Sequence, residues 1–424
     1  MPEKKKSILR QLFESLGPGY ITGAADDDPS GIATYSQTGV LFGFSQLWVA
    51  LFSFPFMAAI QEMCARIGVV TGKGLSGVIK QYYSKKVLFA AVFLLLVANV
   101  INIGADLGAM AASVQLLVTL PFTMLIISIT AFTILVEVFV PYRVYAKFLK
   151  YLALSLLAYV ATAFIIKQDW RLIAYSTFVP SFVWSRDYLF NIVAFMGTTI
   201  SPYLFFWQAN EEVEEELVHG QMLDMGKGIP NVGSYSVHKM RIDTIFGMFF
   251  SNLMTFFIIV TVASTLGAAG VHTVDTAADA ANALRPLAGD FAFLLFTLGI
   301  LGTGLLAVPI LAGSAAYAIA EVFDWEEGLG KKFNEARGFY GVIAIATLVG
   351  LMVNFSPIGP ITMLYYAAML NGVLAPPLMV IILLISNNEK ILGDKTNGIL
   401  SNFLGITITT IMSCVATALI YTML

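Results

Sequence analysis

The run AADDDPSGIAT, residues 24–34, decides how the rest of the chain is read. It sets three consecutive aspartates, Asp26, Asp27 and Asp28, followed by Pro29 and Gly31, near the middle of an otherwise apolar span, 17–42. A bilayer core takes about 20 helical residues to cross, so Asp28 falls close to the midplane. A carboxylate there costs roughly 2.5–3.5 kcal/mol on insertion scales and persists where it faces water, a partner or a cation. Pro29 removes a backbone donor and Gly31 adds backbone freedom, so the pattern predicts a helix broken from Asp28 through Gly31 with carbonyls left unpaired. Irregular backbone at that depth is tolerated where it lines a cavity. The break therefore reads as a cation site.

The rest of the chain supplies the membrane. Of 424 residues, 58% are hydrophobic and 12% charged, and the mean hydropathy is +0.80, which leaves no room for a large soluble domain. Apolar segments fall at 17–42, 46–70, 88–117, 121–140, 148–166, 188–218, 242–268, 289–322, 339–356, 360–386 and 400–423, giving eleven expected crossings in a single transmembrane domain, 1–424. The first segment does not read as a cleaved signal peptide, because DDDP interrupts its apolar run. Lys4, Lys5, Lys6 and Arg10 precede it, and alternate loops collect most other lysines and arginines, while the opposite side holds Lys167, Arg171, Arg186 and Arg285. This asymmetry predicts a cell-membrane protein with residues 1–16 in the cytoplasm and, after eleven crossings, the C-terminus outside. Cys64 and Cys414 both fall in apolar spans, so no disulfide framework is expected. A net charge of -3 without a basic stripe gives no sign of a nucleic-acid partner. The lipid bilayer is the expected surrounding, and no obligatory protein partner is evident.

A second anomaly lies in GTTISPYLFFWQANEEVEEE, residues 197–216, where Gly197, Ser201 and Pro202 interrupt the sixth span near mid-membrane. Broken helices five spans apart are the signature of an inverted repeat, each half supplying one discontinuous helix to a shared midplane site. The first repeat would be 17–166, the second 188–386, with 400–423 as an added eleventh helix. The carbonyl end of the first half-helix carries partial negative charge toward the break, which favours a cation. Asn99, Asn102 and Asp106 lie broadly along one side of the third span, either lining a water path or bonding to a neighbour. Glu62 and Arg66, four apart, suit a structural ion pair. Glu137 reads as interfacial. The run Glu211, Glu212, Glu214, Glu215 and Glu216 is either a solvated helix end or a funnel concentrating divalent cations. Asn371, an isolated amide at depth, either caps a neighbouring helix or reaches the central site. His219, His238 and His272 fall at boundaries or loops, so no histidine metal cluster is expected.

With these residues in view, the chain resembles the Nramp family of divalent-metal transporters over most of its length. GPGYITGAADDDPSG (17–31) is similar to the family's first-helix signature, whose core is Asp-Pro-Gly-Asn; QEMCARIGVVTGKGL (61–75) resembles the end of its second helix and PPLMVIILLISNNEKILG (376–393) its tenth. The resemblance implies an all-α polytopic protein of LeuT-like fold, an inverted five-plus-five repeat plus an eleventh helix, with metal held between broken helices one and six. Asp28 and Pro29 match the signature, but Ser30 replaces its glycine and Gly31 its metal-binding asparagine. Where the family has Met-Pro-His, this chain has Ser201, Pro202 and Tyr203, losing both thioether and imidazole. Asp106 matches an acidic position on the family's proton path, whereas Asn99 and Ala109 stand where other acids are usual. These substitutions resemble the branch of Nramp-related magnesium transporters.

Loss of sulfur leaves hard oxygen donors suited to Mg, an ion that usually keeps several waters, and the small residues Gly31 and Ser201 are expected to widen the cavity for them. The expected ligands are Asp28 as the principal charge, the Ser201 hydroxyl, and backbone carbonyls near Ala25, Gly31 and Thr198, with Tyr203 and Asn371 behind them. Asp106, Glu211, Glu212 and Glu215 are the expected access path. The expected activity is uptake of hydrated Mg2+, with Mn2+ as a second candidate cargo, by alternating access without proton coupling. No ATP is needed, since no glycine-rich phosphate loop with its lysine occurs, and no catalytic cofactor is called for. The alternatives are a proton-coupled Mn2+ or Fe2+ transporter, an amino-acid or amine transporter on the same scaffold, and an intramembrane aspartyl hydrolase using Asp28 and Asp106, which would have to share a proton at contact distance. Roles for Asp26 and Asp27 are not assigned by the sequence.

Overall fold

In the computed structural model the described residues are 17–140, 154–228, 230 and 234–423, the side chains of 234–236 excepted. Among them the ordered elements are helices, with one isolated backbone bridge between Asp224 and Lys227. Residues 1–16, with Lys4 to Lys6 and Arg10, and the start of the fifth span at 148–153, with Arg143, Lys147 and Lys150 nearby, lie outside the described residues.

The first span is two helices, α1 (Pro18–Asp26) and α2 (Pro29–Phe42); α3 (Leu47–Thr71) is the second. A short helix, α4 (Leu75–Tyr82), leads into α5 (Lys85–Gln115) and α6 (Phe122–Phe139), spans three and four. Then come α7 (Leu157–Ile165), the described part of span five, and a short α8 (Trp170–Phe178). The sixth span is again divided, into α9 (Arg186–Thr199) and α10 (Pro202–Val218). The last five spans are α11 (Ser234–Val262), α12 (Ala292–Phe323), α13 (Arg337–Val353), α14 (Pro360–Ser386) and α15 (Ile399–Met423). Among the described residues eight spans, the sixth counted whole, are long and apolar enough to cross a membrane; the divided first span and the shorter apolar helices Leu154–Ile165 and Arg337–Val353 fall at the remaining expected places. Where loops were expected at 71–87 and 167–187, the chain forms α4 and α8. Asp169 caps α8, its carboxylate accepting from the Arg171 and Leu172 N–H groups, a local signal that satisfies orphan donors at a helix start.

Packing carries the mark of an inverted repeat. Around a pseudo-two-fold axis, a helix near the axis meets its own counterpart five spans on. Here α3 packs on α11 (spans two and seven) and α5 on α12 (spans three and eight). Lipid tails are as apolar as leucine, so helices in a bilayer associate through close van der Waals packing, for which small residues are needed. At Gly23 on α1 a Cβ would lie 2.2 Å from the Gly247 carbonyl oxygen on α11. At Gly197 on α9 it would lie 2.1 Å from the Ala368 oxygen, and at Gly372 on α14, 2.1 Å from the Val193 oxygen. The half-helices flanking both breaks are thus held backbone to backbone against their neighbours. Glu62 pairs with Arg66 at 3.1 Å and with Arg241 of α11 at 2.8 Å, so the expected ion pair is a three-residue cluster joining α3 to α11.

Candidate cation site

The first break is narrower than the sequence implies. α1 ends at Asp26, the chain turns through Asp27 (φ -81°, ψ 46°) and Asp28 (φ -68°, ψ 172°), and Pro29 already begins α2. Asp28 is the N-cap: its Oδ1 accepts the Gly31 N–H at 2.8 Å and the Ser30 hydroxyl at 2.6 Å. A capping carboxylate followed by proline at the first helical position starts a helix, because the missing N–H would have been orphaned there anyway. Pro29, Ser30 and Gly31 therefore open α2 rather than prolong the break. The second break shares the proline but not the cap: α9 ends at Thr199, the chain turns through Ile200 (φ -123°, ψ 69°) and the extended Ser201 (φ -87°, ψ 135°), whose hydroxyl does not cap the next helix, and Pro202 begins α10. Gly197 stays helical, its role being the close contact with α14.

The two breaks meet at Asp28. The Tyr203 hydroxyl, on the first turn of α10, lies 3.2 Å from Asp28 Oδ2 and 3.2 Å from the Ala25 carbonyl oxygen. The Asn102 amide of α5 reaches the same Oδ2 at 3.5 Å. Ser30 Oγ is 3.2 Å from Thr198 Oγ1, closing a chain of polar contacts from α2 to α9. Asp28, Ala25, Thr198, Ser201 and Tyr203 are each 1% exposed, so the site is sealed from both sides. A carboxylate enclosed to that degree is stabilised only by the donors gathered on it.

Other expected ligands sit differently. Gly31 lies inside α2 and offers Asp28 its amide N–H, not its carbonyl. The Ser201 hydroxyl turns back, donating to the Gly197 and Thr198 carbonyls at 2.8 and 2.7 Å, which satisfies the end of α9. Nor is room for waters open beside Gly31, where a Cβ would already be 3.2 Å from Tyr35 Cε2, 3.3 Å from the Asp26 oxygen and 3.4 Å from Thr198 Oγ1. Asn371, on the turn of α14 that touches Gly197, is buried with neither amide atom hydrogen-bonded. Asp106 is fully buried one turn beyond Asn102, and both its carboxylate oxygens lack a partner among the described residues. It makes no hydrogen bond to Asp28, which a proton-sharing hydrolytic pair would require.

Asp26 and Asp27 turn toward α11, where the Ser251 hydroxyl lies 2.5 Å from Asp26 Oδ2 and 3.4 Å from Asp27 Oδ1. The glutamate run is not a solvated helix end: Glu211, Glu212, Glu214 and Glu216 are buried, and Glu215 alone is half-buried. Glu212 accepts from Gln208 at 2.8 Å, and Glu214 from the Tyr317 hydroxyl at 2.8 Å. Glu137 is not interfacial but buried against Thr347 of α13 at 3.4 Å. The sequence reading missed Ser30 and Asn102 as contacts of Asp28. Asn102 could have been found from its place four residues before Asp106 on the polar stripe; Ser30 carries no signal until the capping geometry is known.

This constellation can be compared with known proteins. The model of the family described as Nramp, natural resistance-associated macrophage protein-like, matches residues 19–422. Over 423 residues the chain is 23% identical to the divalent metal cation transporter MntH of Caldanaerobacter subterraneus subsp. tengcongensis, spanning 97% of this chain and 94% of that one. It is 29% identical over 204 residues, 47% of each chain, to the divalent metal cation transporter MntH of Bacillus subtilis. A crystal structure of the Eremococcus coleocola manganese transporter, in complex with an aromatic bis-isothiourea substituted compound, matches with a TM-score of 0.73 at 16% identity, covering 98% of this chain and 87% of that one. Mhp1, a nucleobase-cation-symport-1 family transporter in a closed conformation, matches with a TM-score of 0.59 at 14% identity, covering 96% and 90%. At such identities the structures speak for the fold alone, which is LeuT-like, with helices one and six broken at the midplane.

Proposed function

Because the chain belongs to the Nramp family, we propose that it carries a divalent metal cation across the membrane, and that the cation is Mg2+ moving inward with part of its water shell. The observation that carries this reading is the donor set at Asp28. The groups reaching it or its neighbours are the hydroxyls of Ser30, Thr198 and Tyr203, the Ala25 carbonyl and the Asn102 amide. Oxygen ligands suit Mg and Mn, while Fe and softer metals gain more from imidazole or sulfur. Mg dehydrates reluctantly and is commonly held by one or two carboxylates plus waters. Asp28 is the principal charge, with Ala25, Thr198, Ser201, Tyr203 and Gly31 around it and Asn371 and Asp106 behind.

A site sealed on both sides exchanges cargo only if the half-helices around it move. Alternating access by rocking α1, α2, α9 and α10 against their partners accomplishes this. A divalent ion gains roughly 4.6 kcal/mol per 100 mV of inward potential, twice the single-charge figure, so uptake runs without proton coupling. The relatives are transporters, not enzymes, and Asp28 and Asp106 have no hydrolytic role.

The test is uptake into proteoliposomes loaded with a Mg-sensitive dye and a pH indicator, with and without an imposed potential. Mg2+ should enter in a potential-dependent way, with no acidification, and Asp28→Ala should abolish it. Entry of Mn2+ but not Mg2+, with acidification of the lumen, would make this a proton-coupled transition-metal transporter and give Asp106 the proton path.

A further inference from the structure

A second group of carboxylates lies far from Asp28 in the fold, at the end of α12. There a cleft of about 410 Å³ opens between α4, the end of α12, residues 224–227 and residues 324–331. Four lysines and five acidic residues line it. Three of the lysines are paired with carboxylates. Lys227 Nζ is 2.6 Å from Asp224 and 3.2 Å from Glu326; Lys331 is 3.0 Å from Asp224 and also pairs with Glu326. Lys80 is 2.6 Å from Asp324, and Lys73 donates to Gln81 at 2.7 Å. Burial pushes the Asp224 carboxyl up, but the hydrogen bonds from Lys227 and Lys331 outweigh it and hold it below the usual carboxylate range.

This pairing leaves two acids, Glu321 and Glu327, and one lysine, Lys73, without an ion pair among the described residues. Glu321, the acidic residue of α12, is 9% exposed, and Glu327 is 7% exposed; an oxygen of each, Oε2 in both, has no hydrogen-bond partner among the described residues. Glu321 faces the backbone N–H groups of Gly74, Ser76 and Gly77 at the start of α4 and has Lys73 as a cationic neighbour, which together account for part of its charge. Glu327 has the carboxylates of Glu321 and Glu214 and the ammonium of Lys331 as neighbours. Two buried carboxylates with unfilled acceptor positions repel each other unless one takes up a proton or a cation is shared between them. Among the described residues no three acidic, histidine or cysteine side chains converge into a closed cage, so the ion that fits is one keeping most of its waters. That is the habit of Mg2+, which is often bound through one or two carboxylates.

We propose that Glu321 and Glu327 form a second divalent-cation site, distinct from the one at Asp28, which ties the end of α12 and its following loop to the start of α4. The inference does not depend on Asp28 being the transport site. By the charge asymmetry of the loops the cleft faces the cytoplasm, so its occupancy follows the ion concentration there and stabilises the arrangement in which these elements are joined.

The experiment uses the full chain in detergent carrying Asp28→Ala, titrated with Mn2+ while the free-ion signal is followed by electron paramagnetic resonance, with Mg2+ as competitor. One Mn2+ should bind per chain and be displaced by Mg2+. Adding Glu327→Gln or, separately, Glu321→Gln should weaken that binding about tenfold or more, and the Mg2+-induced rise in melting temperature should vanish with it. Elution as a single species in size exclusion establishes that each variant is folded. If the Asp28→Ala chain binds no Mn2+, or binds it equally well with both glutamates replaced in turn, the site does not exist. Should the unsubstituted chain bind Mn2+ only through Asp28, the second site falls while the transport reading stands.

Discussion

In the proposed reading Ser201 takes the place of the family's thioether, and its hydroxyl is folded onto the Gly197 and Thr198 carbonyls. Ser201→Met would return a soft donor to the break, and sulfur favours Mn over Mg. In uptake competition at equal concentrations, the variant should shift toward Mn2+; unchanged preference would show that selectivity is set elsewhere. Asp28 has two duties that can be separated. As N-cap it holds α2, and in the proposed function its charge holds the cargo. Asn caps a helix about as well as Asp, while Ala loses roughly 0.5–2 kcal/mol. Asp28→Asn should therefore keep the melting temperature closer to that of the natural chain than Asp28→Ala does, while both lose Mg2+ uptake. Residual uptake in the Asn variant near the natural rate would separate the charge from transport.

Helices are held by contacts that tolerate no added atom. The α9–α14 contact at Gly197 and Gly372 is backbone against backbone, so a methyl group at either must push the two helices apart. Overpacking of this kind costs typically 1–3 kcal/mol. Gly197→Ala should lower the melting temperature in detergent and impair uptake. Gly341→Ala on α13, where a Cβ would meet nothing within 4 Å, should leave stability the same or raise it by up to about 1 kcal/mol through helix propensity. If both variants melt alike, the close contact is not what sets the spacing of α9 and α14. The glutamate run belongs to this scale as well. Its composition suits a solvated helix end, but α1, α3 and α12 pack against α10, and α12 and the loop after it supply the Tyr317 hydroxyl and the Leu329 N–H to Glu214, donors that sequence distance hides.

For the molecule as a whole, the open question is orientation, and the loop charges make a definite forecast. His219 and His272 are both exposed and lie in loops on opposite sides of α11. In a chain with Cys64 and Cys414 replaced by alanine, His272→Cys should react with an impermeant maleimide applied outside intact cells. His219→Cys should react only after the membrane is opened. The reverse pattern would invert the topology and turn the cleft at Glu321 and Glu327 outward.

Hydropathy made the all-helical membrane class legible, because a chain in lipid must satisfy its backbone within its own helices, and two proline-marked breaks five spans apart, with the family resemblance, pointed to the repeat. Proline alone did not decide, since Pro55, Pro309, Pro376 and Pro377 lie inside unbroken helices. Asp28 was legible for the same reason: a charge at the midplane of a span needs compensation wherever it is placed. What surrounds Asp28 was not legible. That Asp28 caps α2 by accepting from the Ser30 hydroxyl and the Gly31 N–H, that Tyr203 bridges it to Ala25, that Asn102 arrives from α5 and that Ser201 turns away are outcomes of how α2, α5, α9 and α10 are brought together. Hydrogen bonds are made over about 3 Å between residues as far apart in sequence as Asp28 and Tyr203, so helix placement alone chooses the partners.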